Sequence, residues 1–182
     1  MKKIFYFVAL SLVLFGTSCE KEEIGGTATE AMAGQWYVTV DGVDENGNLA
    51  LDDPDFLNVF GDGPFIINTY NTSANDPTKM FVGDLGDAYA GFTARIDADQ
   101  AALTFASNGE VENESVNDNA RWEALTITGG KILPGAGHQK NGSVADSIIF
   151  YVSFKGDPYP AAWGHAKYRV SGVRYSGLAE ND

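Results

Sequence analysis

From residue 35 to residue 175 the chain never sustains a helical period. Short runs rich in Val, Ile, Thr and aromatic residues alternate with clusters of Gly, Asn, Asp and Pro. That rhythm restricts the fold to all-β architectures. Eight strands are predicted, over residues 35–40, 65–70, 79–83, 91–97, 101–106, 121–128, 146–154 and 166–175. The breakers between them are Asp44-Glu45-Asn46-Gly47, Gly61-Asp62-Gly63-Pro64, Asn75-Asp76-Pro77, Asp97-Ala98-Asp99, Thr128-Gly129-Gly130 and Gly156-Asp157-Pro158, sequences that turn easily. Residues 113–119 read as a polar loop. There is no internal repeat and no second composition regime, so one domain is expected.

Side chains on a strand alternate between two faces, so the pattern also says which face is buried. Trp36, Val38 and Val40 share a face, as do Ile148, Phe150, Val152 and Phe154. In the last strand Ala166, Tyr168, Val170 and Gly172 oppose His165, Lys167, Arg169 and Ser171. One apolar and one mixed face per strand suits an antiparallel sandwich or barrel with a solvated exterior. Eight strands can close into a barrel that is filled by its own side chains or holds one small ligand. The expected interior aromatic set is Trp36, Phe65, Phe92, Phe105, Trp122, Phe150 and Phe154.

The first residues follow other rules. Lys2 and Lys3 precede an apolar run over residues 4–15. As a helix that run would rise only about 18 Å, against a bilayer core of about 30 Å, so it reads as a signal-peptide core rather than a membrane span. Gly16-Thr17-Ser18 and the only cysteine, Cys19, come next. Small residues before a lone Cys resemble a bacterial lipoprotein processing site, although Gly16 stands where Leu is usual. The resemblance implies cleavage before Cys19 and lipidation of it, and several acyl chains anchor firmly. Glu20-Lys21-Glu22-Glu23 resembles the acidic surface-export tag of Bacteroidetes lipoproteins, and Gly- and Thr-rich residues 24–30 read as a flexible tether. The expected organisation is a leader at 1–18, a lipidated and tethered segment at 19–30, and a folded domain at 31–182.

Charge and cysteine usage then narrow the function. The chain has 182 residues and a formal charge of −13. Removing a leader that holds Lys2 and Lys3 leaves −13 − 2 = −15. Phosphate recognition needs clustered Lys and Arg, so a nucleic-acid partner is not expected. One cysteine excludes an internal disulfide framework and a multi-cysteine zinc site.

Catalytic and metal motifs are sparse. His138 and His165, 27 residues apart, fit no metal-binding helix spacing, and both read more plainly as surface or hydrogen-bonded histidines. They are nevertheless the only histidines a hydrolytic site could use. No G-x-S-x-G elbow is present; Asn141-Gly142-Ser143 lacks the second glycine. Residues 44–48 space oxygen ligands like the start of an EF-hand. The sixth position is Leu49 rather than Gly and the twelfth is Asp55 rather than Glu, so a turn is the simpler reading. Asp52-Asp53-Pro54-Asp55 reads as a loop, and no metal or cofactor is expected. Asp146-Ser147-Ile148 resembles a Bacteroidetes O-glycan attachment site, or is simply the start of a strand.

Two further motifs carry a family resemblance. Ala33-Gly34-Gln35-Trp36-Tyr37-Val38 resembles the Gly-x-Trp opening of lipocalin-like (calycin) barrels, whose Trp plugs one end. The tail Tyr168-Arg169-Val170-Ser171-Gly172-Val173-Arg174-Tyr175-Ser176-Gly177-Leu178 resembles the closing strand of small Bacteroidetes lipoproteins grouped as a lipid-binding, putative-hydrolase family. The resemblance implies a single antiparallel eight-stranded barrel. It implies a basic residue of the closing strand over the Trp: Arg174, which shares the Tyr168/Val170 face, or Arg169 if the register slips. It also implies a hydrophobic or amphipathic lipid-like ligand held by the interior aromatics with Tyr168 and Arg174, on a lipoprotein of the outer membrane or cell surface. The alternatives are an esterase-like hydrolase on the same barrel, or a non-catalytic adhesion module using Tyr159, Trp163 and Tyr175.

Overall fold

A computed structural model describes residues 26–49, 64–84, 91–115, 122–178 and 181. The leader, Cys19, the acidic run after it, the 52–55 loop and Arg121 lie outside the described residues, as does the side chain of Trp163.

The strands are β1 (Gly34–Val43), β2 (Phe65–Asn71), β3 (Lys79–Gly83), β4 (Thr93–Asp99), β5 (Thr104–Ala106), β6 (Val111–Glu112), β7 (Ala124–His138), β8 (Val144–Phe154) and β9 (Lys167–Arg174). A short helix, α1 (Tyr159–Trp163), precedes β9. Every pairing is antiparallel, and the sheet runs β5-β4-β3-β2-β1-β9-β8-β7 before β5 meets β7 again. The result is a closed eight-stranded barrel. Its fifth wall strand is in two pieces, since β5 pairs Lys131 and Gly130 while β6 pairs Leu125 and Ala124 of the same neighbour.

Closure satisfies the strand edges that an open sheet would leave bare. It joins the two ends of the chain, with Trp36 opposite Arg174 and Val40 opposite Val170. Alternation places Trp36, Val38, Val40, Ile67, Met80, Val82, Ile148, Phe150, Val152, Tyr168 and Val170 inside, all essentially buried. Burying such side chains contributes about 1.5–3 kcal/mol each.

Three local expectations differ from the fold. Thr128-Gly129-Gly130 does not end a strand: β7 runs straight through it. The register against β8 shifts between Thr128 and Lys131, and Gly129 has φ 63°, which makes a bulge that bends the wall. Asp97-Ala98-Asp99 likewise belongs to β4. The turn comes later, because the Asp99 carboxylate accepts the N–H groups of Ala101 and Ala102, both at 3.0 Å. That capture removes residues 101–103 from the predicted strand and leaves only Thr104–Ala106. At the other extreme, the end of the presumed tether is a folded turn: Met32 and Ala33 N–H donate to the Thr29 carbonyl, and Thr29 and Met32 are fully buried.

Candidate ligand site

The barrel ends differ. One is sealed by short chain segments: the 27–33 turn, the 72–78 and 100–103 connections and the 139–143 hairpin. Trp36 lies at its centre. The indole N–H donates to Thr69 Oγ1 at 2.8 Å, and the Thr69 hydroxyl donates to the Met32 carbonyl at 2.6 Å. Both buried polar groups are thus satisfied, as burial demands. The Arg174 guanidinium lies 4.3 Å from the Trp36 ring centroid, close enough for a cation–π contact. It also donates to the Ala33 carbonyl at 2.6 Å and pairs with Asp146 at 3.1 Å, whose other oxygen accepts Gly135 N–H. Gly34 makes room for it, since a Cβ there would collide with the guanidinium. Arg169 points to the outer wall and pairs with Asp41 at 2.8 Å.

At the opposite end lie residues 44–49, 84, 91–92, 113–115, 122–123 and 155–166, the described parts of the longer connections. Below them is an aromatic group. Phe154 touches Phe92 at 5.8 Å, Trp122 at 6.4 Å and Tyr168 at 6.2 Å between centroids. Trp122 is partly exposed and the other three are buried. Phe105 meets Phe150 at 5.7 Å deeper in the barrel, and Phe65 packs against the core from the start of β2. The expected aromatics therefore all line one continuous core.

Polar side chains brace this loop-rich end. Asp84, buried, accepts Gly91 N–H and Phe92 N–H at 3.1 and 3.0 Å. Asn113 accepts Thr93 N–H and donates to the Gly91 and Trp122 carbonyls. The Tyr168 hydroxyl donates to Asp157 at 2.6 Å, and Asp157 also accepts Tyr159 N–H. His165 sits edge-on to Tyr168 at 5.0 Å and against Gly42. Burial pushes its pKa below the ordinary value, opposed by the nearby Asp157 carboxylate. Tyr168 and His165 were singled out from the sequence, but for ligand contact and hydrolysis rather than as braces. Asp84, Asn113 and Asp157 were not, each being a single polar residue beside a strand end with no spacing rule to mark it.

His138 ends β7 at the sealed end, exposed, whereas His165 is buried at the other, so the two histidines do not converge. Tyr159 is on α1 at the loop-rich end while Tyr175 follows β9 at the sealed end, edge-on to Tyr37 at 4.8 Å; they do not form one patch. Residues 44–48 form a turn, with Gly47 at φ 84° and Asn48 N–H donating to Asp44. The Asn48 side-chain amide, which also donates to Asp44 at 3.1 Å, and then that backbone N–H hold the Asp44 carboxyl below its ordinary pKa. Among the described residues no three His, Cys, Asp or Glu side chains gather as a metal site would need. Ser147 lies within β8, half-buried between Val173 and Leu133.

The fold and these two unlike ends define an all-β, eight-stranded antiparallel barrel with an apolar interior, of the kind that either fills itself or holds one small ligand. Residues 21–179 match the family described as lipid-binding putative hydrolase, and the chain belongs to that family. No curated protein sequence matches it.

Proposed function

We infer that this protein is a lipid-anchored binder of a hydrophobic or amphipathic, lipid-like molecule, displayed on the outer-membrane surface of a Bacteroidetes-type cell. The observation that carries the binding half is the aromatic group of Phe92, Trp122, Phe154 and Tyr168 under the loop-rich end of a barrel from a lipid-binding family. Aromatic side chains offer large apolar contact, and Trp122 already reaches toward solvent. The anchoring half rests on the leader and Cys19. Titration with dispersed phospholipid tests the binding. Tryptophan emission is expected to shift, and the shift should shrink in Trp122→Phe. An emission spectrum unchanged at saturating lipid would overturn it.

Hydrolysis is the second reading, favoured by the juxtaposition of buried His165 and Tyr168 with the half-buried Asp157 carboxylate. An ester-cleaving activity that survived replacement of both His138 and His165 would exclude a histidine-based site.

A further inference from the structure

The barrel closes where β5 meets β7, and this seam is short. β5 holds β7 through only two residue pairs, Thr104 with Lys131 and Phe105 with Gly130. Beside this seam, on the outside, lies a groove of about 390 Å³ lined by Asp97, Ala98, Asp99, Thr104, Phe105, Ala106 and residues 129–131. Its surface is mainly apolar, and two of its wall positions are the glycines of the β7 bulge. Phe105 belongs both to this groove and to the core: its ring meets Phe150 inside and covers Gly130, where a Cβ would strike it. One aromatic ring thus separates an outer apolar groove from the barrel interior.

The rim of the groove is charged unevenly. Asp97 pairs with Lys79, and Asp99 is engaged by the N–H groups of the 99–102 turn. The Lys131 ammonium is exposed and makes neither ion pair nor hydrogen bond among the described residues. An apolar trough ending at an unpaired cation matches a single-chain amphiphile with an anionic head. We propose that this groove is a lipid-contact site separate from the loop-rich end. The chain of such an amphiphile lies against Ala98, Phe105, Ala106 and the glycines, and its head lies at Lys131. The assignment rests on the lipid-binding reading above and adds to it a second place and a headgroup charge.

Fluorescent cis-parinaric acid and its neutral methyl ester test it on the full-length protein. The wild type is expected to bind the acid more tightly than the ester. Lys131→Gln should weaken the acid about 3–5-fold, the size of a partly exposed ion pair, and leave the ester unchanged. Lys131→Glu should abolish the preference. Lys155→Gln, an exposed lysine paired with Glu110 elsewhere, should keep it. Equal affinities for the acid in wild type and both Lys131 variants would overturn the groove while leaving lipid binding intact. Failure of the wild type to bind either probe would overturn both.

Discussion

Trp36 ties the two chain ends together through one indole, with Thr69 on its nitrogen and Arg174 over its face. Trp36→Ala is expected to cost about 3–5 kcal/mol of unfolding free energy in urea denaturation, and an unchanged midpoint would refute the plug. His165 gives a pH dependence of determined sign. Its folded pKa is below the ordinary 6.5, so as pH falls below that value the unfolded chain takes up a proton that the folded chain resists. Stability should therefore decline from pH 7 toward pH 5, and His165→Gln should flatten that part of the profile measured by thermal melting. Trp36 and Arg174 were legible because a Gly-x-Trp motif and the phase of the last strand place both on one face. The convergence of His165 and Tyr168 with Asp157 was not, since a helix and a turn intervene between Asp157 and β9, and only the fold brings them together.

Within the elements, β7 shows where sequence punctuation misleads. Two glycines after Thr128 look like a turn, yet a bulge uses the same residues. What decides between them is the partner strand, because β8 continues opposite β7 on both sides of the shift. The two-piece fifth strand has a comparable device. Between β5 and β6, Ser107 N–H donates to the Ile127 carbonyl at 2.9 Å, and the Ser107 hydroxyl accepts Ile127 N–H at 2.8 Å. A side chain thus replaces a backbone rung. Ser107→Ala leaves that N–H without its acceptor, a loss of about 1–3 kcal/mol. Hydrogen exchange at the Ile127 amide should accelerate more than at Val152 in the β8 interior, and equal protection in both proteins would contradict the role given to Ser107.

As a whole molecule, the all-β antiparallel class followed from strand count and alternation, but closure into a barrel did not. Sandwich and barrel share the same two-face pattern, and the pairings of β1 with β9 and of β5 with β7 are needed to choose between them. The proposed anchor also acts at this scale: Cys19→Ser should move the protein from the membrane to the soluble fraction with its fold unchanged by circular dichroism, and membrane retention would contradict lipidation there. The central claim, that the barrel of this lipid-binding family member carries a lipid-like molecule, is tested most directly by incubating the purified protein with a total lipid extract, repurifying it and recording its native mass spectrum. A mass increment matching one hydrophobic or amphipathic lipid, retained through repurification, is the predicted result. Repeated recovery of the unliganded mass alone would contradict the account.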